Sequence, residues 1–126
     1  MSRELDCVIR AFAPTRTVSL HEPLACVDYD GRGCPLAEAM AQECNLPLRR
    51  IGALPGSLGS YAGEDLDLVM VTLELPRGSG SLSADVLWER FGRALLTAVT
   101  FEGPALAPAS GPPSDQSHGP RIEPGR

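Results

Sequence analysis

Leu68-Val69-Met70-Val71-Thr72-Leu73-Glu74-Leu75 (LVMVTLEL, residues 68–75) is the stretch whose reading decides the fold. It is the strongest strand candidate in the chain. Its aliphatic and β-branched residues run almost without interruption, as in a strand covered on both faces. Pro76 ends it, because proline has no N–H to give to a ladder. Glu74 is the anomaly. A carboxylate between Leu73 and Leu75 is poorly solvated, and burying one is costly unless it is paired or neutralised. A carboxylate stripped of water is pushed toward its neutral form, which suits a general base near neutral pH. The residues equally allow Glu74 to pair with Arg77 or to turn to solvent at the strand end.

Outward from this strand, residues 52–63 (GALPGSLGSYAG) read as a loop rich in glycine and serine. On the other side, residues 78–81 (GSGS) form a flexible link. Ser83 then caps a helix to about Val99, with Leu87, Phe91, Leu95 and Ala98 toward the core. Near the start, residues 3–12 (RELDCVIRAF) place Leu5, Val8, Ile9 and Phe12 on one helical stripe that Pro14 ends. Thr17–Leu20 is a short strand with His21 at its C-terminal end, and Pro23 stops it. Asp28-Tyr29-Asp30-Gly31 has turn chemistry. Pro35 suits the first turn of a helix to about Cys44, with Leu36, Met40 and Cys44 on one face. Residues 48–51 make a weak third strand.

The order helix, strand, helix, strand, loop, strand, helix predicts an α/β fold. Two firm strands and a weak one are few for such a sheet, so the sheet is expected to be incomplete. If the chain is a relic missing half of its sheet, a long apolar edge should be bare at Leu68–Leu75. The predicted domain covers residues 1–102. Residues 103–126 hold half of the 12 prolines and few large apolar side chains, which predicts a disordered tail containing His118.

The chain has 126 residues, enough for one small domain. Its formal net charge of −5 argues against nucleic acid as a partner. No apolar run approaches the roughly 18 residues of a membrane span, and no apolar leader opens the chain. The expectation is a cytoplasmic protein. Cys7, Cys26, Cys34 and Cys44 form no Cys-x-x-Cys pair, and reduced thiols are expected. A zinc set of His21, Cys26, Cys34 and Cys44 has spacings that match no finger or ribbon pattern.

His21 and Glu74 both sit at carboxyl ends of strands, where α/β sheets place their ligand crevice. For His21 alone the residues allow a metal ligand, a base, or a strand-end imidazole bonded to a backbone carbonyl. Glu22 is a poor co-ligand, because adjacent residues point apart. The loop Pro55-Gly56-Ser57-Leu58-Gly59-Ser60-Tyr61 could wall the crevice. It has no phosphate-cradling pattern. Ser57 and Ser60 lack the strand-turn-helix elbow of a serine hydrolase.

Three stretches in order, SLHEPLACVDYDG, PGSLGSYAG and VTLELP, resemble the C-terminal half of the zinc carboxypeptidase family, in its murein tripeptide amidase branch. The resemblance spans about residues 3–100 and implies the C-terminal part of a mixed sheet flanked by helices. It implies that His21 is the third zinc ligand and that Glu74 is the general base. It also implies that Ser57, Leu58 and Gly59 line the pocket for a peptide substrate with a free carboxylate; Tyr61 is a nearby candidate for that wall, not equated with the tyrosine that many members place just before this loop. The reaction implied is zinc-assisted hydrolysis of the γ-D-glutamyl-diaminopimelate amide. The family's other two ligands, a His-x-x-Glu motif, do not occur in this sequence, nor does its Asn-Arg pair. The expectation is therefore poor zinc binding by this chain alone, with the N-terminal half of such an enzyme as a possible partner. The competing expectation is an inactive relic or a small binding module.

Overall fold

The computed structural model describes residues 2–103, so the predicted tail lies outside the described residues apart from Gly103. The elements are α1 (Arg3–Phe12), β1 (Arg16–His21), β2 (Leu24–Gly31), α2 (Cys34–Cys44), β3 (Leu48–Arg49), β4 (Val69–Pro76) and α3 (Ala84–Thr100). A π-helical turn at Gly59–Asp65 precedes β4, and a 3-10 turn at Ser79–Ser81 follows it. The four strands form one mixed sheet in the order β1-β4-β2-β3. β4 runs parallel to β1 and antiparallel to β2, and β3 pairs parallel with β2.

The strand at 68–75 is thus the second strand of the sheet, hydrogen-bonded on both sides. The bare edge expected of a relic is corrected: among the described residues the open edges are β1 and the two-residue β3. The turn expected at 28–31 is corrected too. Those residues end β2, the eight-residue strand that pairs with β4 from Leu24↔Pro76 to Gly31↔Val69. Turn-forming Asp and Gly lost to tertiary pairing, and Cys26-Val27-Asp28-Tyr29-Asp30 in fact alternates polar and apolar as a half-buried strand does.

The sheet has two unlike faces, because side chains alternate along each strand. On one face Val18, Leu20, Val69, Val71, Leu73, Leu75, Val27 and Tyr29 meet α2 and α3. The core there joins Leu36, Ala37, Met40 and Ala41 of α2 to Phe91, Ala94 and Ala98 of α3. The opposite face is largely polar, and the loop before β4 closes over it.

Capping fixes the helices. Ser83 Oγ accepts the Val86 N–H at 3.3 Å, and Ser2 Oγ accepts the Leu5 N–H at 3.2 Å. α1 buries only Ile9 of its expected stripe, and Phe12 is 78% exposed. The link at 78–81 is held rather than loose: the Glu22 carboxylate accepts N–H bonds from Gly78 at 2.6 Å and Gly80 at 3.2 Å. Glu22 thus ties the β1–β2 turn to the end of β4.

Candidate active site

The polar face is organised by register. Cross-strand partners share a face, and β1, β4 and β2 lay their side chains in three rows: His21, Glu74, Cys26; then Ser19, Thr72, Asp28; then Thr17, Met70, Asp30. Ser19 Oγ and Thr72 Oγ1 lie 2.9 Å apart and share a hydrogen bond. Asp28 Oδ1 accepts the Ile51 N–H at 2.8 Å, which fastens the loop to the sheet.

His21 Nδ1 is 3.9 Å from Glu74 Oε1. The two are parallel-strand neighbours at the carboxyl ends of β1 and β4, so the sheet itself fixes their spacing. The His21 side chain is 61% exposed, whereas Glu74 is 8% exposed as a residue. Glu74 Oε2 is buried with no hydrogen-bond partner among the described residues. A buried carboxylate oxygen left in that state is costly. Of the open readings for Glu74, the solvent-facing one fails, because the side chain is turned inward beside His21.

These residues line a cavity of about 230 Å³. Its wall includes Ser57, Leu58 and Gly59 from the loop, and Ile51 and Leu54 just before them. His21, Glu74, Ser57, Leu58 and Gly59 are therefore brought together. Tyr61 is not: it is absent from the cavity wall, and its hydroxyl donates to Asp6 Oδ1 on α1. The π-helical turn aims the Tyr61 ring away from the sheet, where Arg10 also sits 5.8 Å from its centroid. The Asp6 carboxyl is held below its ordinary range by the Tyr61 bond and then by Arg10.

Sequence reasoning missed Asp28 and Asp30, which line the same cavity and are buried. Asp30 packs against Gly59 and Gly63, where a Cβ would overlap its side chain. Burial pushes the Asp30 carboxyl up, helped by the charges of Asp28 and Glu64. Cys26, beside Glu74, has its thiol pushed up by burial and by Asp28 and Glu74, which disfavours the thiolate a metal or an electrophile needs. All four cysteines are free thiols. Among the described residues no three His, Cys, Asp or Glu side chains gather into a metal-holding group. Catalytic zinc takes about three protein ligands, so these residues do not make a complete zinc site by themselves. No described helix is long and apolar enough to cross a membrane.

No protein-family model matches the chain. Two curated proteins named murein peptide amidase A, from Escherichia coli strain K12 and Escherichia coli O157:H7, are each 38% identical to it over 96 residues. The match covers 75% of this chain and 37% of each relative, so the chain spans little more than a third of their length. The crystal structure of murein-tripeptide amidase from Escherichia coli O157 superposes with a TM-score of 0.59 at 38% identity, covering 75% of this chain and 38% of that one. Over three quarters of its length, therefore, this chain is similar in sequence and fold to part of murein peptide amidase A.

Proposed function

We propose that this chain carries one half of a zinc-dependent amidase site for murein (peptidoglycan) peptides, cutting the γ-D-glutamyl-diaminopimelate amide. The donors that complete the metal set would come from polypeptide beyond this chain, such as the N-terminal half of the same type of enzyme. The observation that carries the reading is the His21–Glu74 pair, 3.9 Å apart at neighbouring strand ends, with Glu74 Oε2 buried and unpartnered at the cavity. The Glu74 carboxylate would accept a proton from a water molecule and pass it to a leaving amine. His21, exposed and at the strand end, would offer an imidazole nitrogen to zinc, and Ser57, Leu58 and Gly59 would wall the space for the residue that leaves. Zinc, when bound, supplies Lewis acidity for amide hydrolysis.

The test is hydrolysis of L-alanyl-γ-D-glutamyl-diaminopimelate by the chain with zinc, alone and with the N-terminal portion of Escherichia coli murein peptide amidase A. The expected result is turnover only in the reconstituted mixture, reduced about 10²–10⁴-fold by Glu74→Gln. The incomplete donor set favours a second reading, a non-catalytic module that keeps the cavity. Absence of turnover from a folded, zinc-supplied mixture would decide for it.

A further inference from the structure

We propose that Glu22 is a positioning residue for the His21–Glu74 pair: its carboxylate, clasped by the backbone of residues 78–80, sets where the His21 imidazole stands. The inference rests on the amidase reading, and it gives the residue that follows His21 a role in that site.

The chain makes an abrupt crossing here. β1 pairs with one side of β4 as far as His21↔Glu74, and β2 pairs with the other side from Leu24↔Pro76. Only Glu22 and Pro23 lie between the two strands, so two residues carry the chain over the carboxyl end of β4. β4 leaves the sheet past the same place, by way of Pro76, Arg77 and Gly78. Glu22 joins the two paths. One carboxylate oxygen accepts the Gly78 N–H at 2.6 Å, and the other accepts the Gly80 N–H at 3.2 Å. Bonds to an ionised carboxylate are roughly twice as strong as neutral ones. The receiving turn is itself fixed. Gly78 has φ +87, a conformation that favours glycine. Ser79 is buried, and its hydroxyl donates to the Pro76 carbonyl at 2.6 Å. The Ser81 N–H closes on the Gly78 carbonyl at 3.1 Å.

The pair needs this support. His21 is the last residue of an edge strand, so among the described residues the sheet holds its backbone from the β4 side alone. Its side chain is 61% exposed, and its 3.9 Å approach to Glu74 is longer than a hydrogen bond. That contact does not hold the ring; the backbone must. The clasp ties the residue after His21 to the chain that follows Glu74 and β4. Two groups that act on one reacting centre tolerate little misplacement. The loop wall at Ser57, Leu58 and Gly59 is fastened elsewhere, through Asp28 and the Ile51 N–H. Removing the clasp should therefore disturb the reacting groups and spare the wall.

The experiment records nuclear magnetic resonance spectra and amide exchange for the full chain and for Glu22→Ala, Glu22→Gln and Ser2→Ala. The chain has only two histidines, His21 and His118, so the ring signals are few. In the natural chain a nuclear Overhauser effect should join the His21 ring to the Glu74 side chain. Glu22→Ala should abolish it and speed exchange at Gly78 and Gly80 at least about tenfold. Glu22→Gln keeps one acceptor oxygen, so one of the two glycine amides should stay protected and the ring contact should survive in part. Ser2→Ala removes the α1 cap, away from the clasp, and should change neither readout. No Overhauser effect or no glycine protection in the natural chain overturns the proposal. So does an intact effect in folded Glu22→Ala, or its loss in folded Ser2→Ala. If Glu22→Ala does not fold, Glu22→Gln decides: unchanged exchange at both glycines overturns the proposal. In the mixture reconstituted with the N-terminal portion, Glu22→Ala should lower kcat at least about tenfold and leave KM within about twofold. An unchanged kcat overturns the proposal. Absence of turnover with the natural chain removes the amidase reading alone, and the resonance and exchange results still decide the clasp.

Discussion

At the scale of single residues the site is a set of acids held in costly surroundings. Glu74 has a buried oxygen without a partner, a cost that packing elsewhere must offset. Glu74→Leu should therefore raise stability, by about 1 kcal/mol or more, while abolishing any reaction that needs the carboxylate. Urea unfolding measures the first effect; a less stable variant would refute it. Asp30 makes a second residue-scale prediction. Its carboxyl is pushed above the ordinary value of 3.8 by burial and by neighbouring Asp28 and Glu64. A raised carboxyl binds its proton more tightly in the folded state than in the unfolded chain. Its contribution is thus most favourable below pH 3.8 and is lost as pH rises through the folded value. Asp30→Asn should gain stability over the natural chain at pH 7 and show little difference near pH 3. Equal differences at the two pH values would refute this. Glu74 was legible in the sequence as a carboxylate inside an apolar strand, whereas Asp30 was not, since its burial depends on what the register sets beside it.

Among elements, the loop from Ile51 to Asp67 and strand β2 depend on one another. Gly31 has φ +54, and a Cβ there would overlap the carbonyl of Gly63 in the π-helical turn. Gly31→Ala should cost about 3 kcal/mol or more and loosen the loop over the cavity. Thermal unfolding checks the first part, and faster amide exchange at residues 57–63 checks the second. How far the elements could be read follows the same logic. The helix bounds were legible because Ser83, Pro14 and Pro35 are local signals with local physics. β2 was not legible, because Asp-Tyr-Asp-Gly carries turn residues whose preference yields to pairing with β4 over eight residues. Tyr61 was a candidate for the pocket because it lies next to the loop in sequence. The π-helical turn, which depends on close approach of Gly59 and Gly63 to Asp30, directs it to Asp6 instead.

For the whole molecule the open side is the β1 edge. Among the described residues no strand pairs with the side of β1 away from β4, and apolar side chains lie exposed around it: Leu20, Phe12, Trp88 and Val99. Leu20, Leu75, Leu87, Trp88, Phe91 and Leu95 also line an apolar groove between the sheet and α3. A bare edge beside an apolar groove promotes association. Sedimentation velocity should show concentration-dependent self-association that Leu20→Lys reduces, and a monodisperse natural chain at high concentration would refute this.

By itself the sequence determined which segments are helices, that residues 68–75 are the principal strand, and that His21 and Glu74 stand at strand ends. Local periodicity, caps and proline positions are enough for that. The tertiary structure alone decided that β4 lies between β1 and β2. That placement depends on pairing between segments about 50 residues apart, which no local signal encodes. With it came the three rows of side chains, the His21–Glu74 contact, and the burial of Asp28 and Asp30 against one cavity.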